Sequence, residues 1–184
     1  MRRRRPTRGF TLLELIVVLV IVAMVLAFAL PSFRTLILNR RINGLTESLF
    51  NSLSYARNQA LSNDEAVTVC PYSAPSSTTC GTNWSAGWIV VKQPSSGTSS
   101  VVNTTTLSAT GPTLKATTYG GTTSVTQITF NGRGLLNTAQ VLLTACDSRG
   151  STQARSILIY ATGFVQTSST PGTAADGTTA LSCP

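Results

Sequence analysis

Residues 10–33 read FTLLELIVVLVIVAMVLAFALPSF, and Glu14 is the one charged side chain among them. At 1.5 Å of rise per residue, a helix of this length covers roughly 36 Å, more than a hydrocarbon core of about 30 Å. The stretch therefore predicts a transmembrane helix. Five arginines, at positions 2, 3, 4, 5 and 8, stand directly before it. Such a cluster holds the N-terminus on the cytoplasmic side and sends the rest of the chain across the membrane.

Those arginines also account for most of the chain's basicity. The formal charge is +8, from fourteen basic and six acidic residues. Without residues 1–9, nine basic side chains face six acidic ones, and the net falls to three. The chain contains no histidine, the commonest general base and metal ligand. A serine or cysteine nucleophile would have no imidazole to activate it. No catalytic residue, metal site or cofactor is expected, and the chain reads as a non-enzyme.

Glu14 is costly where it sits, by about 2.5–3.5 kcal/mol for a carboxylate at the bilayer centre. A cut between Gly9 and Phe10 would supply a partner, the new α-amino group of Phe10. Pairing within one chain or with a neighbouring copy would neutralise both charges, fixing arrangement more than adding stability. A second reading treats the arginines and apolar run as a conventional signal peptide. In that reading Ala27-Phe28-Ala29 is the cleavage site. Glu14 and the length of the run argue against it.

Residues 8–33 resemble the prepilin signature shared by type IV pilins and type II secretion pseudopilins: a basic leader, glycine before the cut, a methylated aromatic after it, and glutamate fifth in the mature chain. Gly9, Phe10 and Glu14 hold those positions. The resemblance implies cleavage and N-methylation at Gly9 and Phe10 and an assembly charge at Glu14.

Beyond the apolar run, Ile42, Leu45, Leu49, Leu53, Ala56 and Ala60 recur every three or four residues, the stripe of an amphipathic helix. Arg40, Arg41, Asn43, Thr46, Glu47, Asn51, Ser54 and Arg57 fill much of the other face. One helix is predicted from Phe10 to about Ser62, with Pro31 bending it or loosening a turn and Gly44 as a second weak point. Arg34, Arg40 and Arg41 suit lipid headgroups or a solvated face.

After Asn63 the pattern becomes short β-type runs between Ser, Thr, Gly and Asn: 66–71, 87–92, 100–107, 125–130, 141–146, 155–160 and 163–166. Segments 93–113 and 167–182 read as loops, the first overlapping one strand candidate. The fold class is α+β, a long helix packed against antiparallel sheets. The expected organisation is a leader at 1–9, a membrane or filament-core half helix at 10–33, an amphipathic half at 34–63 and a β-rich head at 64–184. Trp84 and Trp88 fit core or rim packing better than an exposed platform, and Asp147, Arg149 and Gly150 read as a turn.

Four cysteines without a C-x-x-C pair, in a head expected outside the cytoplasm, imply two disulfides. Nearness in sequence favours Cys70 with Cys80 and Cys146 with Cys183, closures worth ~2.8 and ~3.9 kcal/mol in the chain-entropy picture. All three pairings stay open.

Within the head, SYARNQALSNDEAVTVC (54–70), NWSAGWIVV (83–91), ITFNGRGLL (128–136) and RSILIYATG (155–163) resemble the landmarks of the GspH/FimT family of minor pilins and pseudopilins. That resemblance implies a structural subunit that helps start or cap a type IV pilus-like filament, or its type II secretion counterpart. It also implies other major and minor pilins, prepilin peptidase and an inner-membrane assembly platform as partners. The subunit would be single-pass in the inner membrane through residues 10–33, with a periplasmic head, before entering the filament. Some FimT-like members bind DNA through a G-R-x-R motif. Here the matching stretch is Gly163-Phe164-Val165-Gln166, which lacks both arginines, so DNA binding is an alternative that the sequence argues against.

Overall fold

The computed structural model describes residues 9–75 and 77–183, with the side chains of residues 28–32 excepted. The first element is helix α1 (Leu12–Asn63). Two compact units divide the chain, one up to Asn39 and one from Arg40 onward. The arginine-rich leader expected at 1–9 lies outside the described residues except for Gly9. The bend expected at Pro31 likewise falls on a side chain outside them, and the helical assignment continues through that position.

In the first unit, every described apolar side chain of α1 up to Ala27 is exposed, Leu12 by 77%. The helix is apolar all round, so no face of it is suited to water. Among the described residues, no helix is long and apolar enough to cross a membrane. Within the run, the described side chains are those up to Ala27 and that of Phe33.

In the second unit the 3.6-residue stripe determines what is buried. Ile42, Leu45, Leu49, Leu53, Ala56 and Ala60 all lie in the main core. Thr46 and Ser52 are buried beside them, their hydroxyls donating to the carbonyls of Ile42 (2.8 Å) and Ser48 (3.0 Å). Against this stripe pack two antiparallel four-stranded sheets. The strands are β1 (Ala66–Pro71), β2 (Gly87–Gln93), β3 (Ser100–Thr106), β4 (Thr113–Thr118), β5 (Ile128–Phe130), β6 (Val141–Cys146), β7 (Arg155–Ile159) and β8 (Val165–Thr167). Their orders are β3-β2-β1-β5 and β4-β6-β7-β8. Inward residues of both sheets, among them Val67, Val69, Phe130, Leu143, Ile157 and Ile159, close one core with the helix.

Three strand expectations need correction. Strand β4 falls where none was expected, because Leu114 and Ala116 alternate inward between outward Thr113, Lys115 and Thr117. The run expected at 125–130 narrows to β5, since Val125 instead donates its N–H to the carbonyl of Ala116 in β4, a strand of the other sheet (3.0 Å). The last strand starts at Val165, because residues 160–163 make a turn closed by the Gly163 N–H on Tyr160 O (2.8 Å). Segment 167–182, read as a loop, closes on itself through an isolated bridge between Thr173 and Ala180 and is held on the head by buried Ala174 and Leu181, which pack with Cys146 and Ala154.

Both tryptophans are buried, and Trp84 donates its indole N–H to Val125 O at 2.6 Å. Ser85, in the 3₁₀ turn Trp84–Ala86, exchanges hydrogen bonds with Leu114 N (2.9 Å) and Leu114 O (3.2 Å). Its hydroxyl thus fills in for a missing strand partner on the edge of β4.

Candidate assembly site

The N-terminal end of α1 is built by its own sequence. Thr11 precedes the first helical residue, and its Oγ1 accepts the backbone N–H of Glu14 at 3.3 Å. That is the N-cap half of a Thr-x-x-Glu capping box, satisfying one of the donors a helix start leaves unpaired. Phe10 stands at the position that staples against the residue after Glu14, and it is exposed by 74%. Glu14 is therefore held in the first turn, one turn from Phe10, with an apolar surface around it.

At the other end of α1 the head is locked by a contact that sequence reasoning missed. Arg57 reads as one more polar-face residue. Its guanidinium donates to Gly134 O (3.1 Å) and Thr162 O (3.3 Å), joining two turns to the helix. The first turn is organised by Asn131, whose Oδ1 accepts from Arg133 N and Leu135 N at 3.0 and 3.1 Å. Leu136 N donates to Ala161 O at 3.0 Å, linking the first turn to the second. Gly163, at φ 75°, sits so close that an added Cβ would lie 1.9 Å from Gly134 O. The FNGRG and YATG stretches are thus where the ends of both sheets meet α1.

Cys70 is bridged to Cys80 and Cys146 to Cys183, with Cα separations of 5.5 and 5.9 Å. The second bridge fastens the C-terminal tail to β6. A second fastening comes from Asp176, which accepts from Tyr119 OH (2.6 Å), from the backbone of Thr178 and Thr179, and from both their hydroxyls. The Thr179 hydroxyl, then Tyr119 and the backbone N–H groups, hold the Asp176 carboxyl well below the usual range. A depressed carboxyl stabilises the fold above its unfolded pKa, and that contribution disappears only as pH falls through the lower, folded value. Replacing Cys146 and Cys183 together by alanine is expected to cost ~3.9 kcal/mol, lowering the melting midpoint by roughly 10 °C. Calorimetry at pH 7 and pH 5 checks this. The loss should be the same at both, because the Asp176 clamp stays charged throughout that interval.

Several of the head's cations are engaged by its own structure. Lys92 Nζ lies 2.9 Å from Glu65 Oε2, an ion pair lacking hydrogen-bond alignment. Arg149 forks onto Asp147 with contacts of 2.6–3.1 Å. Burial alone would raise the Asp147 carboxyl, but the Arg149 hydrogen bonds and charge bring it below its ordinary value. Arg155 donates to Ser169 O at 3.1 Å. Among the described residues no three His, Cys, Asp or Glu side chains gather as a metal site would require.

The family described as Type II transport protein GspH matches residues 45–163, more than half of the chain. The chain belongs to the GspH family. The span of this GspH match opens within the buried stripe of α1 and ends at Gly163, so it encloses the Arg57 contacts and both sheets apart from β8. A prokaryotic N-terminal methylation motif matches residues 4–30, which contain Gly9, Phe10 and Glu14. No curated protein matches the chain.

Among solved structures, the type IV minor pilin FimU of Pseudomonas aeruginosa PAO1 resembles this GspH-family chain in two crystal forms. The first has a TM-score of 0.53 at 21% identity, covering 68% of this chain and 86% of FimU. The second has 0.51 at 21% identity, covering 68% and 90%. These likenesses show the shared fold. The minor pseudopilin EpsH of Vibrio cholerae gives 0.48 at 10% identity, covering 69% and 95%. A GspH-family protein with a methylation motif is a minor pilin or pseudopilin, a structural subunit and not an enzyme. Membership implies an inner-membrane prepilin, processing by prepilin peptidase and assembly with other pilins.

Proposed function

We propose that the chain is a minor subunit that helps start or cap a type IV pilus-like filament, cleaved between Gly9 and Phe10 and methylated on Phe10. The observation that carries this is the contrast between the two units. The head closes a complete core, while described apolar side chains of α1 before Phe28 are uncovered. Such a surface needs lipid or other helices around it. Residues 10–33 occupy the inner membrane before assembly and the filament core afterwards, with the head in the periplasm and the assembly platform transferring one state to the other. Glu14 pairs with a Phe10 α-amino group in the assembled state.

Mass spectrometry of the mature N-terminus tests the processing step, and the expected result is a chain starting at methylated Phe10. A chain starting at Leu30 would instead establish signal-peptide cleavage after Ala27-Phe28-Ala29. The type II secretion pseudopilus is the alternative machine. Deletion separates the two, since one removes surface pili and the other removes secreted enzymes. DNA binding ranks below both, because phosphate contacts need cations that converge, and Arg57, Lys92, Arg149 and Arg155 are each engaged within the head.

A further inference from the structure

The C-terminal end of α1 carries a residue that its surroundings disfavour. The Glu65 N–H bonds to Ala60 O at 3.3 Å, a closure that ends many helices around one left-handed residue, most often glycine. Here that residue is Asp64, at φ 51°, the only non-glycine with a positive φ among the described residues. Its carboxylate also stands at the negative pole of the helix, where a cation would be favoured. Gly132 has no positive φ of its own to explain it, and it leaves room for Asp64. A Cβ added there would stand 2.8 Å from the Asp64 carbonyl carbon and collide with Oδ1. A residue kept against such local preferences implies a role outside its own turn.

Asp64 borders an apolar face. From residue 40 onward, the exposed large apolar side chains are Tyr55, Leu61, Val102, Leu135 and Phe164. Leu61, Leu135 and Phe164 gather at the turns joined by Arg57. A Cβ on Gly134 would lie 2.9 Å from Leu61 Cγ, Leu135 follows Gly134 in the chain, and Gly163 packs on Gly134 O just before Phe164. The Phe164 ring reaches toward Tyr160, with centroids 6.0 Å apart. Contiguous apolar exposure of this kind marks an interaction surface. Arg133 is exposed beside Gly132. Neither its guanidinium nor the Asp64 carboxylate makes a hydrogen bond or ion pair among the described residues. One acid and one base thus border the apolar face, unpaired although they stand on adjoining stretches.

We propose that this face pairs two copies of the chain about a two-fold axis. A two-fold contact must be self-complementary, and an apolar centre with one charge of each sign beside it meets that condition. Asp64 of each copy faces Arg133 of the second, while Leu61, Leu135 and Phe164 of both close the centre. The charges set the register and exclude partners that carry a single sign at both positions. The pairing concerns the head, and it goes beyond the filament reading because it holds for a pilus subunit and a secretion pseudopilin alike.

Cross-linking in the protein's own membranes is expected to yield an adduct of two copies, and sedimentation of the full-length chain in detergent measures its strength. Asp64→Arg and Arg133→Asp each place like charges across both contacts, and each alone should weaken the dimer at least tenfold. Mixed, they restore opposite charges at both contacts, so the two variants should pair with each other as tightly as the unaltered chain does with itself. That recovery separates the head contact from association of the apolar run 10–33, which neither change touches, and from a loss of folding, which mixing does not repair. Phe164→Ser, at a side chain exposed by 54%, should weaken the dimer while leaving the melting midpoint in place. A monomeric unaltered chain, a membrane adduct with a different pilin alone, or no recovery on mixing would overturn the proposal.

Discussion

Glu14→Ala is expected to lower the amount of the chain in sheared filaments by more than tenfold and up to about a hundredfold, while leaving its amount in the membrane unchanged. Before assembly, the Glu14 carboxylate sits within the apolar run one turn from its start, at a cost bounded by the roughly 2.5–3.5 kcal/mol of a carboxylate at the bilayer centre. Pairing with a Phe10 α-amino group relieves that cost in the assembled state, so the carboxylate drives the transfer. Alanine makes the membrane state comfortable and gives nothing back on assembly. At 1.4 kcal/mol per tenfold change, the shift is at most roughly two orders of magnitude. The rival account is local: with Thr11 Oγ1 on its N–H, Glu14 could serve only as the third residue of a capping box. Capping and helix-dipole effects are about 1 kcal/mol, some fivefold at most. Thr11→Ala supplies that comparison, since it removes the cap and keeps the carboxylate. Immunoblots of sheared and membrane fractions decide, and a Glu14→Ala loss no larger than that of Thr11→Ala would overturn the pairing.

The parts of this molecule legible in the sequence are those encoded by local period. Ile42, Leu45, Leu49, Leu53, Ala56 and Ala60 repeat at helical spacing, and all six are buried as one stripe. Strands β1, β6 and β7 are runs dense enough in β-branched and apolar residues to stand out. Strand β4 offered only Leu114 and Ala116 among threonines and a lysine, too little apolar surface to register beside its Ser- and Thr-rich flanks. Arg57 was illegible for another reason: its acceptors lie 77 and 105 residues away, and nothing near it in the chain announces a carbonyl cradle.

The junction held by Arg57 should be the most fragile point of the head. Gly163→Ala is expected to destabilise it by about 2–5 kcal/mol. Two costs combine there. At φ 75° a residue with a Cβ loses about 1–2 kcal/mol to its own backbone. The added methyl would also stand 1.9 Å from Gly134 O and 2.9 Å from Arg57 Nε, and overpacking of this kind costs a further 1–3 kcal/mol. Neither neighbour can yield freely. Gly134 is fixed by its own positive φ of 71° and lies against Leu61, and Arg57 already spans two carbonyls. Gly120→Ala separates the two costs, because φ there is 74° and an added Cβ meets nothing within 4 Å. It should lose only the backbone share. Urea unfolding of the full-length variants in detergent measures both. A Gly163→Ala loss equal to that of Gly120→Ala would mean that the two turns can separate without harm, and that the contact between Arg57, Gly134 and Gly163 does not hold the sheets to the helix.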